Sequence, residues 1–171
     1  MTNSTIRTAS GLDAEAIALV HIRSWQKAYE QYIPESILSS LSVQERAQEW
    51  YDLIQQGVTV LVLETDNQIV GFVGICDFRD GNKGTLCGEI SAIYLHPDHW
   101  RKGYGTKLCL AALEALSPKG YKKVFLWVLA DNIPARMFYK NLGFEATGDT
   151  KLEEFYDGGA LLSEVLYKKD I

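Results

Sequence analysis

The chain has 171 residues, 47% of them hydrophobic, enough for one domain spanning residues 1–171 with an ample core. Its formal net charge of −5 argues against nucleic acid or an anionic membrane as the main partner, and no apolar run approaches the roughly 20 residues of a membrane span. The polar start Met1-Thr2-Asn3-Ser4-Thr5-Ile6-Arg7 does not read as a signal peptide, and Cys76, Cys87 and Cys109 lack Cys-x-x-Cys spacing, so reduced thiols of a cytoplasmic protein are expected.

Taken in chain order, Ile6 to Ala9 reads as a short strand. Asp13 caps a helix whose apolar positions Ile17, Val20, Trp25 and Ala28 recur at helical spacing. Pro34 interrupts it, because the residue before a proline disfavours helix. Ser42-Val43-Gln44-Glu45 is a capping box that opens a second helix through Trp50 and Leu53 to Gly57. Val58 to Glu64 and Gln68 to Phe78 read as strands around the turn Thr65-Asp66-Asn67. Asp80-Gly81-Asn82-Lys83-Gly84 reads as a hairpin turn, and Thr85 to Leu95 as a third strand. The helix Lys107 to Leu113 follows a glycine-containing loop. Val124 to Leu129 is a buried strand. Ile133 to Leu142 is a short helix with Pro134 in its first turn and Gly143 just past its end. A strand from Phe144, a loop from Thr150 to Gly159 and a last strand near Leu161 to Tyr167 complete the order β-α-α-β-β-β-α-β-α-β-β. That order predicts an α/β (α+β) mixed sheet with helices on both faces.

The segment Ile90 to Leu108 carries the most chemistry. An apolar strand ends at Pro97. The turn Trp100-Arg101-Lys102-Gly103-Tyr104-Gly105-Thr106 then enters a helix. Amides at the start of a helix lack internal partners and carry the positive end of its dipole, so an anion fits there. Gly103 and Gly105 let the main chain approach a pyrophosphate. The dinucleotide fingerprint fails because Leu108 stands where its third glycine belongs. The triphosphate loop fails because Thr106 and Lys107 are in the reverse order.

The segment instead resembles the coenzyme A loop of the GNAT N-acetyltransferase superfamily, Gln/Arg-x-x-Gly-x-Gly/Ala. Gly103 and Gly105 match, and Trp100 stands where that family has Gln or Arg. A second match follows. Asn132, Ala135, Phe138, Tyr139, Gly143 and Phe144 fit the later family pattern strand-x-x-Asn-x-x-Ala-x-x-Phe-Tyr-x-x-x-Gly-Phe. The resemblance covers roughly residues 58 to 168 and, more loosely, the whole chain as one domain.

It implies acetyl transfer from acetyl-CoA, as co-substrate, to a primary amine of a small molecule by direct attack on the thioester. Acetylation of a protein or peptide amine, and a non-catalytic acetyl-CoA sensor, are the alternatives. The resemblance further implies that Tyr139 lies near the coenzyme sulfur as general acid. A Glu at the offset of Glu89 deprotonates the amine in some members. Ile93, Tyr94 and Leu95 are expected along the pantetheine arm. Arg101, Lys102, Gly103, Tyr104, Gly105 and Thr106 are expected around the pyrophosphate, with Asn132 as a polar contact near the arm. Tyr29 and Tyr32 beside Pro34, with Tyr156 opposite, are expected to wall the acceptor pocket, where ring faces suit an aliphatic amine or cation. No metal is expected, since His96-Pro97-Asp98-His99 lacks a fourth ligand and a spacing that converges its side chains. His21 reads as a lone helix histidine. The last strand is expected at a sheet edge, where a second copy could pair to form a homodimer.

Overall fold

A computed structural model describes residues 3–80, 86–155 and 160–171. Seven strands form one sheet in the order β1-β2-β3-β4-β5-β7-β6. They are β1 (Ser4–Thr8), β2 (Thr59–Thr65), β3 (Gln68–Asp77), β4 (Cys87–Leu95), β5 (Lys123–Leu129), β6 (Glu145–Glu154) and β7 (Leu161–Asp170). Five helices accompany them: α1 (Ala14–Ala28), α2 (Glu35–Ser39), α3 (Val43–Gln55), α4 (Tyr104–Leu116) and α5 (Ile133–Asn141).

Period-two alternation along β2 sorts the core onto two faces. Val60 and Val62 meet Ile17, Ala18 and Trp50 of α1 and α3, whereas Leu61 and Leu63 join the cluster that holds Leu108, Cys109 and Ala112 of α4. Helices therefore cover both faces, as the element order implies. Ser42 caps α3 as expected, its hydroxyl accepting from the Glu45 amide at 3.2 Å.

Three expectations are corrected. A short helix, α2, follows Pro34, because Ile33, Leu38 and Leu41 bury together with Ile22 and Phe155. The segment from Thr150 begins as strand, not loop. Thr150 to Glu154 pair with Val165 to Leu161 after a register shift beyond Ala146, and the polar side chains suit an exposed edge. That edge belongs to β6, so the last strand, β7, lies inside the sheet between β5 and β6. Most of the expected turn at Asp80 to Gly84 lies outside the described residues.

Two irregularities of β4 shape the centre of the molecule. Ile90 pairs with Ile75 and Ala92 with Gly74, so Ser91 bulges from the ladder. The bulge lets Ile90 and Ile93, three residues apart, face the same core cluster, while Ala92 and Tyr94 face the other. On its other side β4 runs parallel to β5, and this register stops at Glu89 opposite Phe125. From Ser91 to Leu95 the two strands part and leave a wedge open at the end where both strands lead into their loops.

Candidate active site

The loop after β4 enters α4 through a left-handed residue. Gly103, at the N-cap, has φ +80°, and a Cβ there would point into open space. Arg101 is left-handed as well, with φ +59°. This contortion turns the chain so that the first amides of α4 face outward beside exposed Arg101 and Lys102. Gly105 differs. A Cβ on it would make ordinary van der Waals contact with Phe138 at 3.4 Å and Leu95 at 3.5 Å, so the packing of α4 on α5 and β4 does not itself require a glycine there. Tyr104 is buried in the core, which leaves its backbone as the group available to a phosphate. Thr106 is half-buried in the same turn. The indole of Trp100 donates to the Leu95 carbonyl at 2.8 Å and ties the loop to the end of β4.

Ile93, Tyr94 and Leu95 border the wedge. Ile93 and Leu95 pack below α4, and Tyr94 turns to the opposite face. There it stacks on His21, with ring centroids 4.5 Å apart, and meets the edge of Trp25 at 6.1 Å. Asn132 caps α5, its side-chain oxygen accepting from the Ala135 amide at 3.2 Å. Arg136 anchors the same helix, donating to the Ala130 carbonyl at 2.9 Å and to the Tyr167 hydroxyl at 3.2 Å.

Tyr139 is thereby held on α5 against Phe138 and Phe144, and it is buried. Burial pushes its phenol well above the ordinary value, with a smaller push from Cys109 and then Tyr94. It is a neutral proton donor at physiological pH.

Beyond the wedge lies a cleft of about 540 Å³. Trp25, Tyr29, Tyr94, Leu129, Phe155 and Leu162 give it an aromatic and apolar floor. Arg46, Arg79, Glu49, Glu153, Glu154 and Glu164 provide its charged rim. Burial raises the Tyr29 phenol well above its ordinary value, and Tyr94, Tyr139 and Glu164 add to the rise. Arg46 lies 4.9 Å over the Trp25 ring and pairs with Glu49 at 2.6 Å. Tyr32 is not among the lining residues. It is partly exposed, and its hydroxyl donates to the Asp131 carbonyl, tying the end of α1 to the turn after β5. Tyr156 lies outside the described residues.

Glu89 is not a surface residue. Its side chain is 1% exposed, and its carboxylate accepts three hydrogen bonds from Arg79: Nη2 at 2.6 Å, the backbone amide at 3.0 Å and Nε at 3.2 Å. Among the described residues, these three bonds take up most of the roughly four acceptor sites of a carboxylate.

Sequence reasoning missed several contributors. Arg46, Arg79 and Glu164 belong to no motif, although a carboxylate between Leu162 and Leu166 on one face of a strand is a readable anomaly. His21 is buried with the neutral ring accepting at Nδ1 from the Trp50 indole at 3.1 Å. Burial, and then Arg46, lower its pKa to about 3. Among the described residues no cluster of three metal-ligating side chains occurs, and His96 turns its Nδ1 to the Asp98 amide at 3.4 Å. No described helix is long and apolar enough to cross a membrane.

Comparison with known proteins agrees with this geometry. The model of the acetyltransferase (GNAT) family matches residues 21–144. The uncharacterized N-acetyltransferase YuaI of Bacillus subtilis is 32% identical over 161 residues, covering 94% of this chain and 90% of that protein. The mycothiol acetyltransferase of Kocuria rhizophila is 30% identical over 130 residues, 75% of this chain but 42% of that protein. The PaiA N-acetyltransferase of Thermoplasma acidophilum, solved in complex with coenzyme A, superposes with a TM-score of 0.75 at 23% identity, over 99% of both chains.

Proposed function

The chain belongs to the acetyltransferase (GNAT) family and is an acetyl-CoA-dependent N-acetyltransferase, and we propose that its acceptor is the primary amine of a small molecule. The observation that carries this reading is the cleft. Its volume, about 540 Å³, is of the size that takes a small ligand, roughly 300–1,000 Å³. The end of the β6–β7 hairpin, with Glu153, Glu154 and Phe155, walls one side, whereas a peptide acceptor needs an open groove.

In this reading the pyrophosphate rests on the first amides of α4, with Arg101 and Lys102 adding charge. The parted strands admit the pantetheine arm alongside Ile93, Tyr94 and Leu95, and Asn132 stands near its mouth. Tyr139 donates a proton to the departing thiolate. The phenol is protonated at neutral pH and so holds the proton to give, while burial, by raising its pKa, makes it a weaker acid than a free tyrosine. Tyr29 forms part of the acceptor wall. Glu89 acts on the acceptor through Arg79, which it holds at the rim of the cleft.

The test is coenzyme A release, followed with a thiol reagent, from acetyl-CoA and a panel of alkylamines, amino sugars, amino-acid amides and short peptides. Turnover of small amines with little release from peptides is the expected result. Faster turnover of peptides would replace the small acceptor by a protein amine. Binding of acetyl-CoA without release on any acceptor would leave a sensor.

A further inference from the structure

We infer that Glu164 of β7 receives the ammonium group of the acceptor and takes its proton. This rests on the small-amine reading and names the residue that makes the amine nucleophilic. An alkyl ammonium titrates at about 10.4 in the case of Lys, so nearly all of the acceptor arrives protonated at neutral pH.

Position comes first. Glu164 pairs across β7 with Leu129, the last residue of β5, at the end of the strand that borders the wedge. It lines the cleft beside Tyr29, Tyr94 and Leu129. Tyr29 and Tyr94 also lie within electrostatic reach of both Glu164 and Tyr139. The two phenols thus couple to both the carboxylate and the proposed acid, and with Trp25 they give the cleft ring faces that suit a cation.

Availability comes second. Glu89 is committed to Arg79, and Glu49 to Arg46 at 2.6 Å. Glu164 has a single ion-pair partner among the described residues, Lys151 of β6, at 3.7 Å. Lys151 is shared with Asp80 at 3.1 Å and Glu153 at 3.3 Å, and it lies 4.5 Å over the Trp127 ring. Its hold on Glu164 is the loosest of the three. Burial raises the Glu164 carboxyl above its ordinary value; Lys151 opposes the rise, while Glu153 and Asp80 add to it. A carboxylate half removed from water, weakly paired and facing aromatic rings gains most from a bound ammonium.

The proton ledger closes. The Glu164 carboxylate accepts one proton from the ammonium. The neutral nitrogen forms its bond to the thioester carbonyl carbon, and the carbon–sulfur bond breaks with its electron pair on sulfur. Tyr139 gives its proton to that sulfur and regains one from the amide nitrogen. Glu164 then returns its proton to solvent.

The experiment is the pH–rate profile of Glu164→Gln with the primary alkylamine that the unmodified protein turns over fastest. Activity of the unmodified protein on that amine tests the small-amine reading separately. The expected result is a loss of about 10²-fold or more at neutral pH, shrinking as pH rises toward the amine's own pKa, with acetyl-CoA affinity unchanged by calorimetry. A profile that overlays the unmodified protein, or one lowered equally at every pH, overturns the inference. Glu164→Asp keeps the carboxylate and its Lys151 partner, and serves should the Gln variant not fold. The Asp variant is expected to be slower while keeping the acid limb of the unmodified protein, and loss of that limb overturns the inference too.

Discussion

Arg79 Nη2 lies 2.6 Å from Glu89 Oε1, and this pair joins a fully buried carboxylate to a guanidinium whose side chain is 62% exposed at the cleft rim. The carboxylate is anchored inside the sheet and the cation is presented outside it. Hydrogen bonding to Glu89 is the largest cause holding the Arg79 guanidinium above its ordinary pKa. Such a pair aims the Arg79 side chain at the cleft.

Glu89→Gln separates the two roles. Gln accepts from the Arg79 amide but gives up the charge, and losing a charge-assisted hydrogen bond costs roughly 1.5–3 kcal/mol. The positioning role predicts a lower melting temperature and a rate that falls by one factor at every pH. Recovery of the rate at alkaline pH would instead restore Glu89 as the base.

Gly103→Val tests the phosphate loop. Its φ of +80° costs an L-residue roughly 1–2 kcal/mol, and the new side chain would stand in the open space where the phosphates approach. Acetyl-CoA binding is expected to weaken severely in a protein that still folds. Calorimetry showing unchanged affinity would remove the loop from the coenzyme site.

Much of the site was legible because its parts are local. A left-handed glycine before a helix, an Asn cap followed by proline and a short unbroken apolar run each leave a mark within a few residues, and Gly103, Asn132 and β2 all show it. The pairs that decide the acceptor side are not local. Glu89 meets Arg79 across a turn, and Glu164 meets Leu129 across the sheet and reaches Tyr29 from the far end of the chain. No period or spacing encodes those meetings. The edge placement expected of the last strand failed for the same reason. Chain order does not state that β7 inserts between β5 and β6, and the polar run of β6 hides a strand that has one neighbour.

Tyr139→Phe keeps the ring that packs on Phe138 and Phe144 and removes the proton donor. A general acid contributes roughly 10²–10⁴-fold in rate, so turnover is expected to fall within that range with near-normal acetyl-CoA affinity. Full activity in the Phe variant would exclude Tyr139 from the chemistry.

His21 predicts how the fold responds to acid. Its folded pKa is lowered to about 3 by burial and by Arg46, whereas the unfolded value is 6.5. Both states hold it neutral at pH 7. Below 6.5 the unfolded chain binds a proton that the folded protein refuses, so stability falls as pH falls, until the folded pKa is reached. The slope is about 1.4 kcal/mol per pH unit, or roughly 2–3 kcal/mol between pH 6.5 and 4.5. His99 is lowered as well and adds to the slope, while the raised carboxyl of Glu164 works against it. Those two groups are common to the unmodified protein and to His21→Gln, so the difference between the two isolates His21. Urea midpoints at pH 6.5 and 4.5 are the measurement. The unmodified protein is expected to lose more stability over this interval than the Gln variant, even though the variant starts lower for want of the ring stacked on Tyr94. Equal losses would mean that the buried imidazole takes its proton without opening the core.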